Sequence, residues 1–270
     1  MLLWVFLYPK IEGRGGCKMK LKGKIAVITG AGAGYGMSRG FPTIYAKEGA
    51  NLVLNYYGDS EEKINELKKE LEGYGAEVYL VEGDISKAET AEKLINTAIE
   101  KFGRIDILLN VAGISNPKLL TDMSIEEWNR MLAVDLTSIF LTCKYAVPYM
   151  IKQNFGRIIN LSSQIAQKGS VEHCHYGAAK AGVIGFTKSL AREVGKYNIT
   201  VNCIAPGPIE TQLMGVVSPE WRKQKESELV LPRFGELEEI LPTAVFLAAE
   251  PDGNLYTGQT LGPNLGDVML

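Results

Sequence analysis

The sequence predicts an α/β fold in which one parallel sheet carries helices on both faces. Short apolar runs alternate with amphipathic helical patterns, and this order is typical of right-handed βαβ units. The runs are apolar throughout rather than alternating, as expected for strands that are buried on both faces. The length of 270 residues, 46% of them apolar and 22% charged, suits one large domain with a full core.

Seven strands are predicted, and helical patterns follow most of them. Ser60 is a suitable N-cap for the second helix. A long polar segment, residues 211–233, precedes the last helix. The predicted strands cover residues 24–29, 51–55, 77–81, 105–109, 157–161, 199–204 and 259–261. The predicted helices cover a stretch that ends near residue 49 and then residues 60–71, 90–102, 124–150, 178–196 and 236–249.

The first 18 residues differ from the rest of the chain. Residues 1–8 are apolar, but they fall short of the roughly 20 residues that a membrane helix needs and lack the features of a secretory signal. The segment from Met19 reads as a natural start that leads into a strand. We hypothesise that translation begins at Met19, so that residues 1–18 are an extension and residues 19–270 form the domain. The alternative is a short apolar arm that covers a subunit surface.

Charge and cysteine content narrow the function classes. A net charge of −2, with no basic run, argues against nucleic acid as the main partner. The cysteines lack metal-type spacing, which indicates a reduced, cytoplasmic protein. His173 and His175 are the only histidines, and no third ligand accompanies them, so no metal site is predicted. They are expected to line a substrate cleft or to cap a helix.

A tyrosine and a lysine lie four residues apart at Tyr176 and Lys180, at the start of a helical pattern. Residues at this spacing share one face of a helix. A nearby ammonium favours the phenolate, which makes Tyr176 a candidate proton donor or acceptor near neutral pH. Ser163 ends the apolar run 157–163 and lies just after the fifth predicted strand, where open α/β sheets bind ligands. Taken alone the pair is weak evidence, because a surface lysine and a half-buried tyrosine give the same pattern.

A glycine-rich turn, residues 29–36, joins the first predicted strand to the first helix. Gly30, Gly34 and Gly36 allow backbone N–H groups to approach a pyrophosphate at the helix N-terminus. A flexible turn would show the same composition, but the position between a first strand and a helix favours phosphate binding.

Taken together, these pieces resemble the short-chain dehydrogenase/reductase family from about Met19 to the C-terminus. The resemblance implies a Rossmann-type doubly wound sheet, an NAD(P) cofactor and hydride transfer between a carbonyl and an alcohol. The order and spacing of six pieces carry it. The matching pieces are Thr29-Gly-Ala-x-x-Gly-x-Gly36, Asp84, Asn110-Val-Ala-Gly113, Ser163, Tyr176 with Lys180, and Pro206-Gly-Pro-Ile209 with Thr211.

The resemblance also implies roles for single residues. Tyr176 would protonate the substrate oxygen, and Lys180 would assist it and bind the nicotinamide ribose. Ser163 would hydrogen-bond the carbonyl; the adjacent Ser162 is the rival, but the spacing to Tyr176 favours Ser163. The implied cofactor contacts are Asp84 and Ile85 at the adenine, Asn110, Ala112 and Gly113 at the adenine ribose, and Pro206, Gly207, Ile209 and Thr211 at the nicotinamide end.

Two features depart from the family pattern. Asp135 replaces the usual asparagine of the long helix; its backbone carbonyl would still serve a proton relay, and its added charge is expected to shift the pKa of Lys180. The chain between Gly36 and Ala50 is two residues longer than usual. Because proline is harmful inside a helix, Pro42 favours a longer glycine loop and a helix that begins close to Phe41.

The cofactor preference depends on the end of the second predicted strand. An acidic residue there binds the ribose 2′-OH of NAD and repels the phosphate of NADP. Here the strand ends in Asn55 and Tyr56, and no acid occurs before Asp59. Tyr56 is expected to contact the cofactor. Arg39 could reach a phosphate. These features favour NADP(H) over NAD(H).

In overall appearance the chain is most similar to 3-oxoacyl-carrier-protein reductases, with sugar and polyol dehydrogenases close behind. Residues 211–231 are expected to form a substrate lid, and the apolar Met214 and Trp221 suit an acyl group better than a sugar. The resemblance also suggests a homotetramer. A non-catalytic NADP-binding regulator is the alternative from another class, and the intact Ser163, Tyr176 and Lys180 argue against it.

Overall fold

The computed structural model describes residues 19–211 and 218–269. The predictions about the N-terminal extension, residues 1–18, and about the lid residue Met214 fall on residues outside the described part. The proposed translation start at Met19 depends on residues 1–18 and stays a prediction. From Met19 onward the described residues build one sheet with its helices.

Seven parallel strands form the sheet in the order β3-β2-β1-β4-β5-β6-β7. The order reverses at β1, which pairs with β2 on one side and β4 on the other through Ala26, whose partners are Leu52 and Ile107. In open α/β sheets ligands bind at this switch point. The strands are β1 Ile25–Thr29, β2 Asn51–Tyr56, β3 Val78–Glu82, β4 Ile107–Asn110, β5 Gly156–Leu161, β6 Ile199–Ile204 and β7 Thr260–Leu261.

The described part of the chain contains nine α-helices, and six of them cover the two faces of the sheet. One face packs against α1, α2 and α9, and the other packs against α3, α5 and α7. The helices are α1 Met37–Lys47, α2 Glu61–Gly73, α3 Ala88–Phe102, α4 Ile125–Leu132, α5 Ser138–Gln153, α6 Ile165–Lys168, α7 Cys174–Val194, α8 Pro219–Glu228 and α9 Leu237–Ala248. The predicted α/β sheet with helices on both faces is confirmed.

The prediction that α1 begins close to Phe41 is wrong. The helix begins at Met37 and contains Pro42 in its second turn. A proline lacks the N–H that would bond the carbonyl four residues earlier, here that of Ser38. That carbonyl instead accepts the Gly32 N–H of the glycine loop at 3.1 Å. The loop thus takes up the hydrogen bond that the proline leaves unmade.

The long predicted helix before β5 is interrupted by a π-helical turn. This turn, Ala133–Thr137, separates α4 from α5 and carries Asp135. Single π turns occur mostly at functional sites. By length and composition the run Ile125–Gln153 is the one described helix that could cross a membrane. Its apolar character is accounted for by an inner face buried against the sheet, which includes Ile139 and Met150.

One helix was missed in the polar segment that precedes α9. α8 spans Pro219–Glu228, with the Ser218 hydroxyl accepting the Trp221 N–H at 3.1 Å as an N-cap. Its first position is a proline, which is favoured there. The cap and the proline were visible in the sequence, but α8 buries none of its residues, so its apolar periodicity is absent.

Candidate active site

Tyr176 and Lys180 lie on the first turns of α7. The helix begins at Cys174, so both side chains project from the end that faces the carboxyl edge of the sheet. The Lys180 ammonium lies 5.6 Å from the centroid of the Tyr176 ring. At this distance a positive charge stabilises a phenolate, particularly in a buried site.

Ser163 is the second residue after β5 and is buried. Its hydroxyl accepts the Ile165 N–H at 3.1 Å, and a Cβ placed on Gly177 would lie 3.8 Å from Ile165 Cγ2. The segment of Ser163 therefore packs against the residue that follows Tyr176. The rival Ser162 uses its hydroxyl elsewhere, as a donor to the Lys180 carbonyl at 2.8 Å.

The Asp135 carboxylate contacts the Lys180 ammonium inside the protein. The Oδ2–Nζ distance is 3.1 Å, and both side chains are almost completely buried. Lys180 also donates to the Leu161 carbonyl at 3.0 Å. Burial alone would lower the pKa of Lys180, but the adjacent carboxylate outweighs it and raises the pKa above the ordinary value. The expected influence of Asp135 on this pKa is therefore present, and its direction is upward.

The two histidines precede Tyr176 and have different surroundings. His173 lies edge-on to the Tyr176 ring, with centroids 5.8 Å apart. His175 is fully buried, and its Nε2 is 3.1 Å from the Asn116 carbonyl. Within residues 19–211 and 218–269 no group of three or more metal-ligating side chains occurs. His175 thus ties the start of α7 to the segment after β4.

A cleft of about 550 Å³ lies along the carboxyl ends of four neighbouring strands, β1 to β4. It opens at the switch point between β1 and β4, and the N-terminus of α1 faces it. The predicted site residues that line it are Gly30, Gly34, Gly36, Asp84, Ile85, Ala112, Gly113 and Thr211.

The first glycine of the loop is fixed by close packing. Gly30 has a φ of +67°, and a Cβ there would lie 2.5 Å from the Ala112 Cα. The Thr29 hydroxyl accepts the Val111 and Ala112 N–H groups at 3.1 and 3.2 Å. The end of β1 and the chain after β4 are therefore held together at the centre of the cleft.

The tip of the glycine loop is held by charged side chains instead. The Ala33 N–H donates to Asp59 Oδ2 at 3.1 Å, and the Ala33 carbonyl accepts from Arg39 Nη1 at 2.9 Å. Arg39 in turn forms an ion pair with Glu70 of α2. The expectation that Arg39 is available to a cofactor phosphate is therefore corrected, because its guanidinium is shared between the loop and Glu70.

Asp84 lies at the cleft with both oxygens engaged. Oδ1 accepts two hydrogen bonds from Ser86, one from its N–H at 3.0 Å and one from its hydroxyl at 2.7 Å. Oδ2 pairs with Arg130 of α4 at 2.6 Å. Desolvation would raise the pKa of Asp84, but these hydrogen bonds and Arg130 lower it overall. Arg130, which also lines the cleft, was not predicted.

Two predicted cofactor contacts have other surroundings. The buried Asn110 amide donates to Asn160 Oδ1 at 2.9 Å and accepts the Thr142 hydroxyl at 2.8 Å. It therefore joins β4, β5 and α5 instead of lining a ribose. The Tyr56 side chain is buried with the core on the α1 face, whereas the next residue, Tyr57, lines the cleft. Side chains alternate along a strand, so a one-residue difference changes the face.

The nicotinamide-end residues lie along the loop after β6. The Pro206 carbonyl accepts the Gln164 N–H at 3.0 Å, next to Ser163, and the Gly207 N–H donates to the Pro263 carbonyl at 3.0 Å. Ile209 is buried, and Thr211 reaches the cleft beside Gly36. The loop thus links the serine segment to the mouth of the cleft.

The sequence analysis assigned no site contact to three charged side chains that lie at the cleft or at the glycine loop. Asp59, Glu70 and Arg130 come from three different loops and helices, and no fixed spacing connects them to the residues they contact. The one available clue was Asp59, which was noted as the first acid after β2.

The chain is similar to known oxidoreductases in both sequence and structure. A family model described as enoyl-(acyl carrier protein) reductase matches residues 30–266. The 3-oxoacyl-acyl-carrier-protein reductase FabG of Thermotoga maritima is 37% identical over 252 residues, which are 93% of this chain and all of that protein. The FabG of Staphylococcus aureus is 37% identical over 91% of this chain and 98% of that protein.

The solved structures agree. A short-chain dehydrogenase/reductase from Serratia marcescens superimposes with a TM-score of 0.84 at 28% identity, covering 92% of this chain and 99% of that chain.

Proposed function

Because the chain belongs to the short-chain dehydrogenase/reductase family, and is therefore an NAD(P)-dependent oxidoreductase, we propose that it reduces the ketone of a 3-oxoacyl thioester to a 3-hydroxyacyl thioester. The observation that carries the reaction type is the Tyr176–Lys180 pair beside Ser163, at the carboxyl edge of a dinucleotide-type sheet. The substrate class rests on the relatives, of which this chain covers nearly the whole length.

Each residue has a distinct task in this reaction. Ser163 would donate a hydrogen bond to the ketone oxygen, which gains negative charge in the transition state. The Tyr176 hydroxyl would deliver a proton to that oxygen, and the Lys180 ammonium would stabilise the phenolate that remains. The ketone oxygen thus becomes the hydroxyl group of the product, and Tyr176 regains a proton from solvent.

The cleft fits a nicotinamide dinucleotide. Gly30 packs so closely against Ala112 that no Cβ fits there, and Gly34 and Gly36 line the cleft at the N-terminus of α1, where a pyrophosphate would lie. Ile85, Ala112 and Gly113 would hold the adenosine half, and Thr211 the nicotinamide half. The reduced cofactor supplies the hydride when it is bound. The protein's own part is to orient both partners and to manage the proton.

For the cofactor preference we propose NAD(H), in place of the NADP(H) that the sequence favoured. A 2′-phosphate needs a free cation, whereas the Arg39 guanidinium is committed to Glu70 and to the Ala33 carbonyl. The Asp59 carboxylate lines the cleft beside the glycine loop, where it would repel a phosphate. Both features support a cofactor with a free 2′-hydroxyl.

The lid region supports an acyl substrate. Trp221 of α8 is 47% exposed and lies edge-on to Phe234, and Val230 and Leu231 are exposed beside it. These apolar groups offer a surface to an aliphatic chain. We also propose a cytoplasmic homotetramer, which sedimentation would detect as four times the chain mass of 29.6 kDa.

The proposal is tested by following the oxidation of NADH and of NADPH with acetoacetyl-CoA as substrate. Turnover that disappears in Tyr176→Phe but persists in Tyr197→Phe supports the proposal, because Tyr197 lies beyond the far end of α7. Activity with a sugar or polyol but with no thioester would replace the substrate class. A function that persists unchanged in Tyr176→Phe would support a non-catalytic role.

A further inference from the structure

A buried carboxylate and a buried ammonium form an ion pair next to the catalytic tyrosine. Asp135 is completely buried, and Lys180 is 3% exposed. Oδ1 of the carboxylate accepts the Ile114 N–H at 2.9 Å, whereas Oδ2 accepts no hydrogen bond and meets Lys180 Nζ as an ion pair at 3.1 Å. Two charges withdrawn from water in this way are stable only when each has such partners.

The surrounding backbone leaves space for this pair. A Cβ on Gly113 would lie 3.1 Å from Asp135 Oδ2 and 3.3 Å from Lys180 Nζ. Asp135 lies on the π-helical turn, and this turn packs against α7. Three separate elements, the turn, α7 and the chain after β4, therefore meet at the carboxylate.

We propose that the Asp135 carboxylate is a positioning group, which fixes the Lys180 ammonium and offsets its charge beside the Tyr176 ring. The inference rests on the proposed function of the same site. Lys180 Nζ is 3.1 Å from the Asp135 carboxylate and 5.6 Å from the centroid of the Tyr176 ring. A phenolate at Tyr176 thus interacts with a nearly neutral pair, which stabilises it less than a lone ammonium would.

Other titratable groups near the pair do not replace this effect. His173 lies edge-on to the Tyr176 ring, and His175 is directed to the Asn116 carbonyl. Cys203 of β6 interacts with Lys180, but burial raises the pKa of its thiol to about 12, so the thiol stays neutral in the working range. Asp135 therefore supplies the negative charge that Lys180 contacts directly.

The first test is the pH profile for oxidation of 3-hydroxybutyryl-CoA. Asp135→Asn keeps the shape of the side chain and removes its charge. The Lys180 ammonium then stabilises the Tyr176 phenolate without an offsetting carboxylate, so the acid limb of the pH profile is expected to move down by about one pH unit. Asp106→Asn removes another buried carboxylate, one that contacts Arg104, and serves as the control with an unmoved profile. A profile of Asp135→Asn that coincides with the wild type would overturn the proposal.

The second test measures stability and needs no turnover. Lys180→Met leaves the Asp135 carboxylate buried without its partner, and the melting temperature is expected to fall by about 10 °C. Adding Asp135→Asn removes the unpaired charge and should restore at least half of the loss. Failure of the double variant to recover would contradict the ion pair, whereas loss of thioester activity alone would bear only on the proposed function.

Discussion

At the catalytic end of the cleft the charged groups are buried between packed helices, whereas at the adenosine end, around the glycine loop, they are partly exposed. Lys180 and Asp135 are carried by α7 and by the π turn of its neighbour, and both are buried. Asp59 and Arg39 meet through the Ala33 peptide and remain partly exposed. We infer that a substitution at the first end removes chemistry, while a substitution at the second end changes which cofactor is preferred.

The largest expected effect is at the catalytic end. Tyr176→Phe removes the proton donor and keeps the ring, so kcat should fall about 10³-fold or more. Binding of NADH, measured by fluorescence titration, should change little, because the adenosine half of the cleft is intact. Tyr197→Phe is the matched control. A variant that retains a tenth of the wild-type rate would show that another group supplies the proton.

A second prediction concerns the point where the two ends meet. Gly30→Ala places a methyl group against Ala112, and the free energy of unfolding should fall by about 3 kcal/mol. Gly58→Ala also has a positive φ but meets no atom within 4 Å, so it should cost only about 1 kcal/mol of backbone strain. Urea denaturation measures both. Equal losses would mean that the close approach has no energetic weight.

A third prediction is aimed at the adenosine end. Asp59→Asn removes the carboxylate charge and keeps an oxygen for the Ala33 N–H, so kcat/KM with NADPH should rise about tenfold while that with NADH changes little. Glu92→Gln, an exposed site on α3, controls for the change in net charge. If the wild type already prefers NADPH, the proposal for NAD(H) fails.

The smallest effect is expected at the proline of α1. Pro42→Ala supplies an N–H that competes with Gly32 for the Ser38 carbonyl, so the loop should loosen although the helix gains a bond. Binding of NADH should weaken about threefold, which corresponds to part of one hydrogen bond. Pro148→Ala in α5 changes a helix-interior proline away from the loop and should leave binding unchanged.

The same two regions show how far the sequence could be read. The fold followed from apolar runs and helical periodicity, since a buried parallel strand leaves a pattern in the chain itself. The Tyr176–Lys180 pair was also predictable, because the spacing on one helix fixes which side chains share a face. Ser163 was chosen over Ser162 by spacing alone, and the hydrogen bond of Ser162 to the Lys180 carbonyl agrees with that choice.

The remaining features depended on tertiary partners. Arg39 was read as a free cation because nothing in the chain connects it to Glu70, a residue 31 positions away. Asn110 was assigned to a ribose although it joins a buried amide network with Asn160. The start of α1 was misplaced because a carbonyl freed by Pro42 can be satisfied by a loop, which local propensity does not reveal.

The most direct test of the account is the initial rate of NADH and NADPH oxidation with acetoacetyl-CoA, measured for the wild type and for Tyr176→Phe. We expect turnover of the thioester, a higher kcat/KM with NADH than with NADPH and almost complete loss of the rate in Tyr176→Phe. The absence of turnover with either cofactor, or a Tyr176→Phe rate close to that of the wild type, would contradict it.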